Sequence, residues 1–166
     1  MKKIFILITL ILFSVIIISG CSKPKFSDDE IKYWKNTEVW MGKDSKISEE
    51  VNQILINVRT EGVIRREESI KIKTISDDYS NFIAEVKVYP SPELFSKQKE
   101  IFVRGMEQRL LYFNKLYEWA LINIEEGDEI KGGQALDEAK QYLNKFNDIA
   151  KEHDIEIKWV LDKREE

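Results

Sequence analysis

The chain predicts an all-α fold: a bundle of three to four helices, one of them very long (about 92–126), behind an apolar N-terminal segment. Three observations carry this. Apolar residues recur at steps of three and four through most of the chain after residue 27. Helix-start residues precede several of these stripes. Three Pro and seven Gly are too few for a turn-dense β fold. With 43% hydrophobic and 34% charged residues the composition is globular, and 166 residues allow one ordinary domain.

The first helix is expected to start at Ser27, with Glu30 three residues on and Asp28 and Asp29 suited to the positive end of the helix dipole. Ile31 and Trp34 open its apolar face. Gly42 and Lys43-Asp44-Ser45 weaken the pattern, so a kink or break is expected there, and Ser48-Glu49-Glu50 reads as a new start. Ile47, Val51, Ile54, Leu55 and Val58 then share one helical face.

Residues 61–75 are ambiguous. Ile64, Ile72, Ile75, Tyr79, Phe82, Ile83 and Val86 fit a helical stripe, with Ser76 as a possible restart. Residues 69–75 also alternate like a strand, as do 155–161, so an α+β fold pairing these two short strands is the rival expectation. Pro90 and Pro92 mark the clearest break, with Ser91 expected as the next cap.

From Pro92 to Glu126 nothing stops a helix, and 35 residues would span about 50 Å. Phe95, Phe102, Met106, Leu110, Phe113, Tyr117, Ala120 and Ile124 form its stripe, widened by Ile101, Tyr112, Leu116 and Trp119. Such a wide face suits a packed bundle. Gly105 is expected to mark close helix packing. Gly127-Asp128 and Gly132-Gly133 punctuate a turn region. Leu136, Ala139, Leu143, Phe146, Ala150, His153, Ile157 and Val160 then carry the last helix to about Leu161.

The chemistry-bearing residues are sparse. His153 is the only histidine and Cys21 the only cysteine, which excludes an intramolecular disulfide, a Cys/His zinc site and paired-histidine metal motifs within one chain. No nucleophile elbow or phosphate-binding glycine loop occurs. The acids at 125–129 include a Gly but lack the spacing of a calcium loop. Catalytic residues, metal ligands and cofactors are therefore expected to be none. His153 is expected on the inner edge of the last helix, satisfied by a neighbour. Trp34 and Trp40 are expected in the core.

The N-terminus is the most specific segment. Lys2 and Lys3 precede an almost wholly apolar run from Ile4 to Ile18, the layout of a secretory signal. The run is shorter than the ~20 residues of a stable spanning helix. Ile18-Ser19-Gly20-Cys21 resembles the lipobox of bacterial lipoproteins: an aliphatic residue, two small residues and the cysteine. The resemblance covers residues 1–21. It implies cleavage between Gly20 and Cys21 and a diacylglyceryl thioether on Cys21, which makes that residue an anchor. Two acyl chains suffice for stable attachment.

The organisation expected is then a signal peptide (1–20), a lipidated Cys with its tether (21–27), a helical domain (28–161) and a charged tail (162–166). Loss of Lys2 and Lys3 moves the net charge from −4 to about −6, which argues against nucleic acid as a partner. The expected setting is the outer face of a bacterial cell membrane. Twenty-three Ile and 20 Lys against 5 Ala fit an AT-rich genome, and a Gram-positive surface is favoured over a Gram-negative periplasm. The expected partners are the membrane, through lipid on Cys21, and an envelope protein. The leading functional expectation is a non-enzymatic interaction module. A small-ligand carrier with a pocket between helices is the alternative, and a carboxylate- or Ser-dependent hydrolase ranks third.

Overall fold

A computed structural model describes residues 26–163. The described residues hold four α-helices and no strand: α1 (Asp28–Glu61), α2 (Arg66–Val88), α3 (Ser96–Leu121) and α4 (Glu129–Asp162). The connections are short, so consecutive helices run antiparallel. Helix α3 is central and packs along both α2 and α4. None of the described helices is long and apolar enough to cross a membrane.

The boundaries follow from local chemistry. Ser27 and Glu30 form a reciprocal capping box: the Ser27 amide donates to Glu30 Oε2 at 2.8 Å and the Glu30 amide to Ser27 Oγ at 3.4 Å. Helix α1 ends where Gly62 takes a left-handed φ of 73° and its amide bonds Val58 O at 2.9 Å. Arg65 and Glu68 start α2, the Arg65 amide donating to Glu68 Oε2 at 2.7 Å. That helix stops before Pro90, with Tyr89 extended as a residue preceding proline must be. Gly127, at φ 63°, closes the end of α3, and Asp128 caps α4 by accepting from the amides of Ile130 and Lys131.

The long helix expected over 92–126 divides into three parts. A 3₁₀ turn occupies Glu93–Phe95, α3 follows, and a π turn covers Ile122–Glu126. Ser91 is not its cap: Pro92 stands in that place, and the Phe95 amide bonds Pro92 O at 2.9 Å.

Other punctuation was misleading. Helix α1 continues through Gly42–Ser45, and Ser48 starts nothing. Its hydroxyl donates to Asp44 O at 2.8 Å, inside an unbroken helix. Ser76 likewise sits within α2 and donates to Asn114 Oδ1 on α3 at 2.6 Å. Gly132 and Gly133 belong to the first turns of α4. Gly132 lets the backbone pass Asn123: a Cβ there would lie 2.8 Å from Asn123 Nδ2.

The rival α+β fold does not occur. Residues 69–75 lie in α2 and 155–161 in α4. Alternation by two misled because Ile70, Ile155 and Trp159 are exposed while Ile72 and Val160 are buried. The burial follows helical spacing. Ile64, assigned to the stripe, is buried but lies in the α1–α2 connection.

The core runs the length of the bundle. Tyr33, Tyr79, Phe82, Phe95 and Phe113 are its largest fully buried side chains. At the end where α1 begins, the rings of Phe26, Tyr33, Trp34, Trp40, Tyr89 and Phe95 form a connected group with centroids 5.1–6.3 Å apart. Trp40 is buried as expected, Trp34 is half-buried, and Trp159 is exposed.

Candidate functional site

Cys21 and Gly20, the residues with the most specific sequence signal, lie outside the described residues, as does the signal peptide. The candidate site within the described residues is at the end of the bundle where the chain enters. There the first turn of α1, the 3₁₀ turn, the start of α3 and the last turns of α4 border an open depression of about 820 Å³. Its walls include Glu30, Glu93, Leu94, Ile155, Glu156 and Trp159.

Sequence spacing explains this placement. The capping box holds Glu30 at the rim. Pro90 and Pro92 turn the chain so that Phe95 meets Tyr33 and Trp34 of α1. On α4, Glu156 and Val160 face inward while Ile155 and Trp159 face out. Glu156 is buried and its carboxylate takes an ion pair from Lys97 Nζ at 2.6 Å. The Glu156 carboxylate raises the Lys97 pKa, through its hydrogen bond first and its charge second.

Behind the depression lies a buried polar relay across three helices. The Tyr33 hydroxyl on α1 donates to Gln98 Oε1 on α3 at 3.3 Å. The Gln98 amide nitrogen is 2.6 Å from His153 Nε2 on α4. Because Oε1 already accepts from Tyr33, the amide N–H donates and Nε2 accepts. His153 is thus neutral, with its proton on Nδ1. Burial pushes its pKa down to about 4, against an opposing effect of the Glu156 charge. Burial also pushes the Tyr33 hydroxyl well above its ordinary range. The sequence reading placed His153 correctly on the inner edge of α4 with a neighbour to satisfy it. With its Nε2 lone pair held by Gln98 and its ring 6% exposed, His153 is poorly placed to take a proton from a substrate.

A second polar cluster sits midway along the bundle. Arg109 on α3 pairs with Asp44 on α1 at 2.5 Å, both side chains nearly buried. Arg109 also donates to Ser48, and Tyr79 on α2 donates to Asp44. The guanidinium stacks over Phe146 of α4, 3.7 Å from the ring centroid. Burial, then the Asp44 charge, raises the Tyr79 hydroxyl, so it stays a donor. One cluster therefore joins all four helices. It has the form of a structural clamp, since no buried side-chain polar atom among the described residues lacks a partner.

Sequence reasoning singled out His153 but missed Tyr33, Gln98, Asp44, Arg109 and Tyr79 as a polar framework. A signal existed. Gln98 falls between Phe95 and Phe102 in the α3 stripe, and Arg109 falls between Met106 and Phe113 at the same spacing. A polar residue in register with an apolar stripe must find a partner inside. Among the described residues, no group of three or more His, Cys, Asp or Glu side chains is placed to hold a metal ion.

No protein-family description matches the chain, nor does any curated protein or solved structure.

Proposed function

We propose that the chain is a lipid-anchored lipoprotein on the outer face of a bacterial membrane, and that its helical domain is a non-enzymatic module that binds an envelope protein. The observation that carries this is Ile18-Ser19-Gly20-Cys21 directly after an apolar run of export length, with the only cysteine at the cleavage position. The domain begins within a few residues of that cysteine: Phe26 already stacks on Phe95, with ring centroids 5.9 Å apart. The carrier alternative calls for an enclosed cavity, and the depression bordered by Glu30 and Trp159 is open.

Substitution of the anchor tests the reading. In intact cells the wild-type chain should incorporate labelled fatty acid and fractionate with membranes. Cys21→Ser should lose the label and leave the membrane fraction. Membrane association without any lipid on the wild type would overturn the anchor. Crosslinking and pull-down of the lipidated chain, compared with Cys21→Ser, then tests the module. The expected result is an envelope protein captured only by the anchored form.

A further inference from the structure

The depression is bordered by apolar groups that the bundle leaves uncovered. Ile155 is 71% and Trp159 47% exposed, four residues apart on one face of α4. Leu94 shares the same wall. The chain enters at this end, since Phe26 stacks on Phe95 and Ser27 is bonded to Glu30 at the rim.

Phe26 lies five residues after the lipidation position, Cys21. Fully extended, five residues reach at most about 18 Å. A lipid on Cys21 therefore holds this end of a bundle whose helices are up to 34 residues long close to the bilayer.

We propose that Ile155 and Trp159 seat this end of the bundle in the interface of the lipid bilayer, so that the domain stands on the membrane with one fixed face down. The proposal rests on the lipid-anchor reading above. Tryptophan suits the interface because its ring is apolar while its indole N–H still finds water or a headgroup. The contact need not be strong. Tethering raises the effective concentration of the face at the surface to roughly the millimolar range, so a contact too weak to recruit a free domain is still populated. Charge is not the driving force. Glu30, Glu93 and Glu156 outnumber Lys97 on the walls of the depression, so an anionic surface gains nothing over a neutral one.

The test uses the lipidated full chain carrying Ile155→Cys, or Ile130→Cys at the opposite end, labelled with an environment-sensitive fluorophore. Cys21 does not react, because its sulfur is a thioether. Ile130 is 77% exposed and serves as the comparison site. The protein is reconstituted into phosphatidylcholine vesicles, with and without phosphatidylglycerol, and with or without brominated acyl chains.

The expected result is a blue shift and quenching by brominated lipid at position 155, neither at position 130, and a response no larger with phosphatidylglycerol than without it. Trp159→Ala should weaken the quenching at 155. If the protein floats with vesicles but position 155 is as wet as position 130, the docking is wrong while the anchor stands. If position 155 is shielded without bromine quenching, the occupant is residues 22–25 or, where shielding rises with protein density, a second copy, and the proposal is overturned. Failure to float with vesicles overturns the anchor reading itself.

Discussion

The two buried polar clusters solve the same problem in opposite ways. Near the entry end, Tyr33, Gln98 and His153 link α1, α3 and α4 through neutral groups. At mid-bundle, Asp44 and Arg109 link α1 to α3 through full charges, with Ser48, Tyr79 and Phe146 around them. A neutral relay costs less to desolvate but depends on a protonation state. A charged pair costs more to desolvate, and either partner left alone is a buried ion. The comparison teaches that α1 is held by specific polar links as well as by aromatic packing. The two links should differ in how much stability each carries.

The largest effect is expected at mid-bundle. Arg109→Ala leaves the Asp44 carboxylate with less than its full set of partners and strips the stack on Phe146. Denaturant unfolding should show a loss of about 3–5 kcal/mol. A loss below about 1 kcal/mol would mean that the cluster is solvated and the contrast with the relay is false.

The relay should be weaker and pH-dependent. His153 has a folded pKa near 4 against an ordinary 6.5, so the unfolded chain takes up the proton first as pH falls. Its contribution is complete above about pH 6.5, declines through the window down to about pH 4, and is lost below, a swing of at most about 3 kcal/mol. His153→Leu should remove this component of the pH slope, read as the difference between the two proteins' unfolding curves. It should also cost about 1–3 kcal/mol at neutral pH, because the Gln98 amide loses its acceptor. An unchanged slope would place the pH sensitivity in other groups.

Smaller effects test whether the links or the helix itself hold α1. Ser27→Ala removes the side-chain half of the capping box and should cost about 1 kcal/mol. Gly42 lies inside α1 with open space around its Cβ position, so Gly42→Ala should stabilise by up to about 1 kcal/mol. Destabilisation by Gly42→Ala in thermal melts would show that α1 needs a flexible point there.

Much of the fold was legible because helix patterning is local. The Ser27–Glu30 box, the Pro90–Pro92 break and the Gly127–Asp128 turn each act within a few residues. The stripes of α3 and α4 also appeared at the right spacing. What misled were polar residues inside helices. Asp44-Ser45 and Ser48 looked like a break and a restart because such residues compete with the helix when exposed to water. Here Asp44 faces Arg109, more than sixty positions away, within an unbroken α1. Gly105 was expected at a close approach, and a Cβ there would lie 3.4 Å from Ile149, in contact without overlap.

The sequence by itself determined the helical class, those helix ends set by local caps and prolines, and an apolar N-terminal run followed by the lone cysteine. It also placed Gln98, Arg109 and His153 in register with apolar stripes, which obliges each to be satisfied inside the bundle. Only the tertiary structure decided their partners: His153 for Gln98, Asp44 for Arg109, Lys97 for Glu156. It alone decided, too, that Ile155 and Trp159 flank a depression beside the chain's entry. The physical reason is range. Caps and periodicity act within a turn or two of one helix, whereas a buried polar group's partner depends on which helices pack together and in what register.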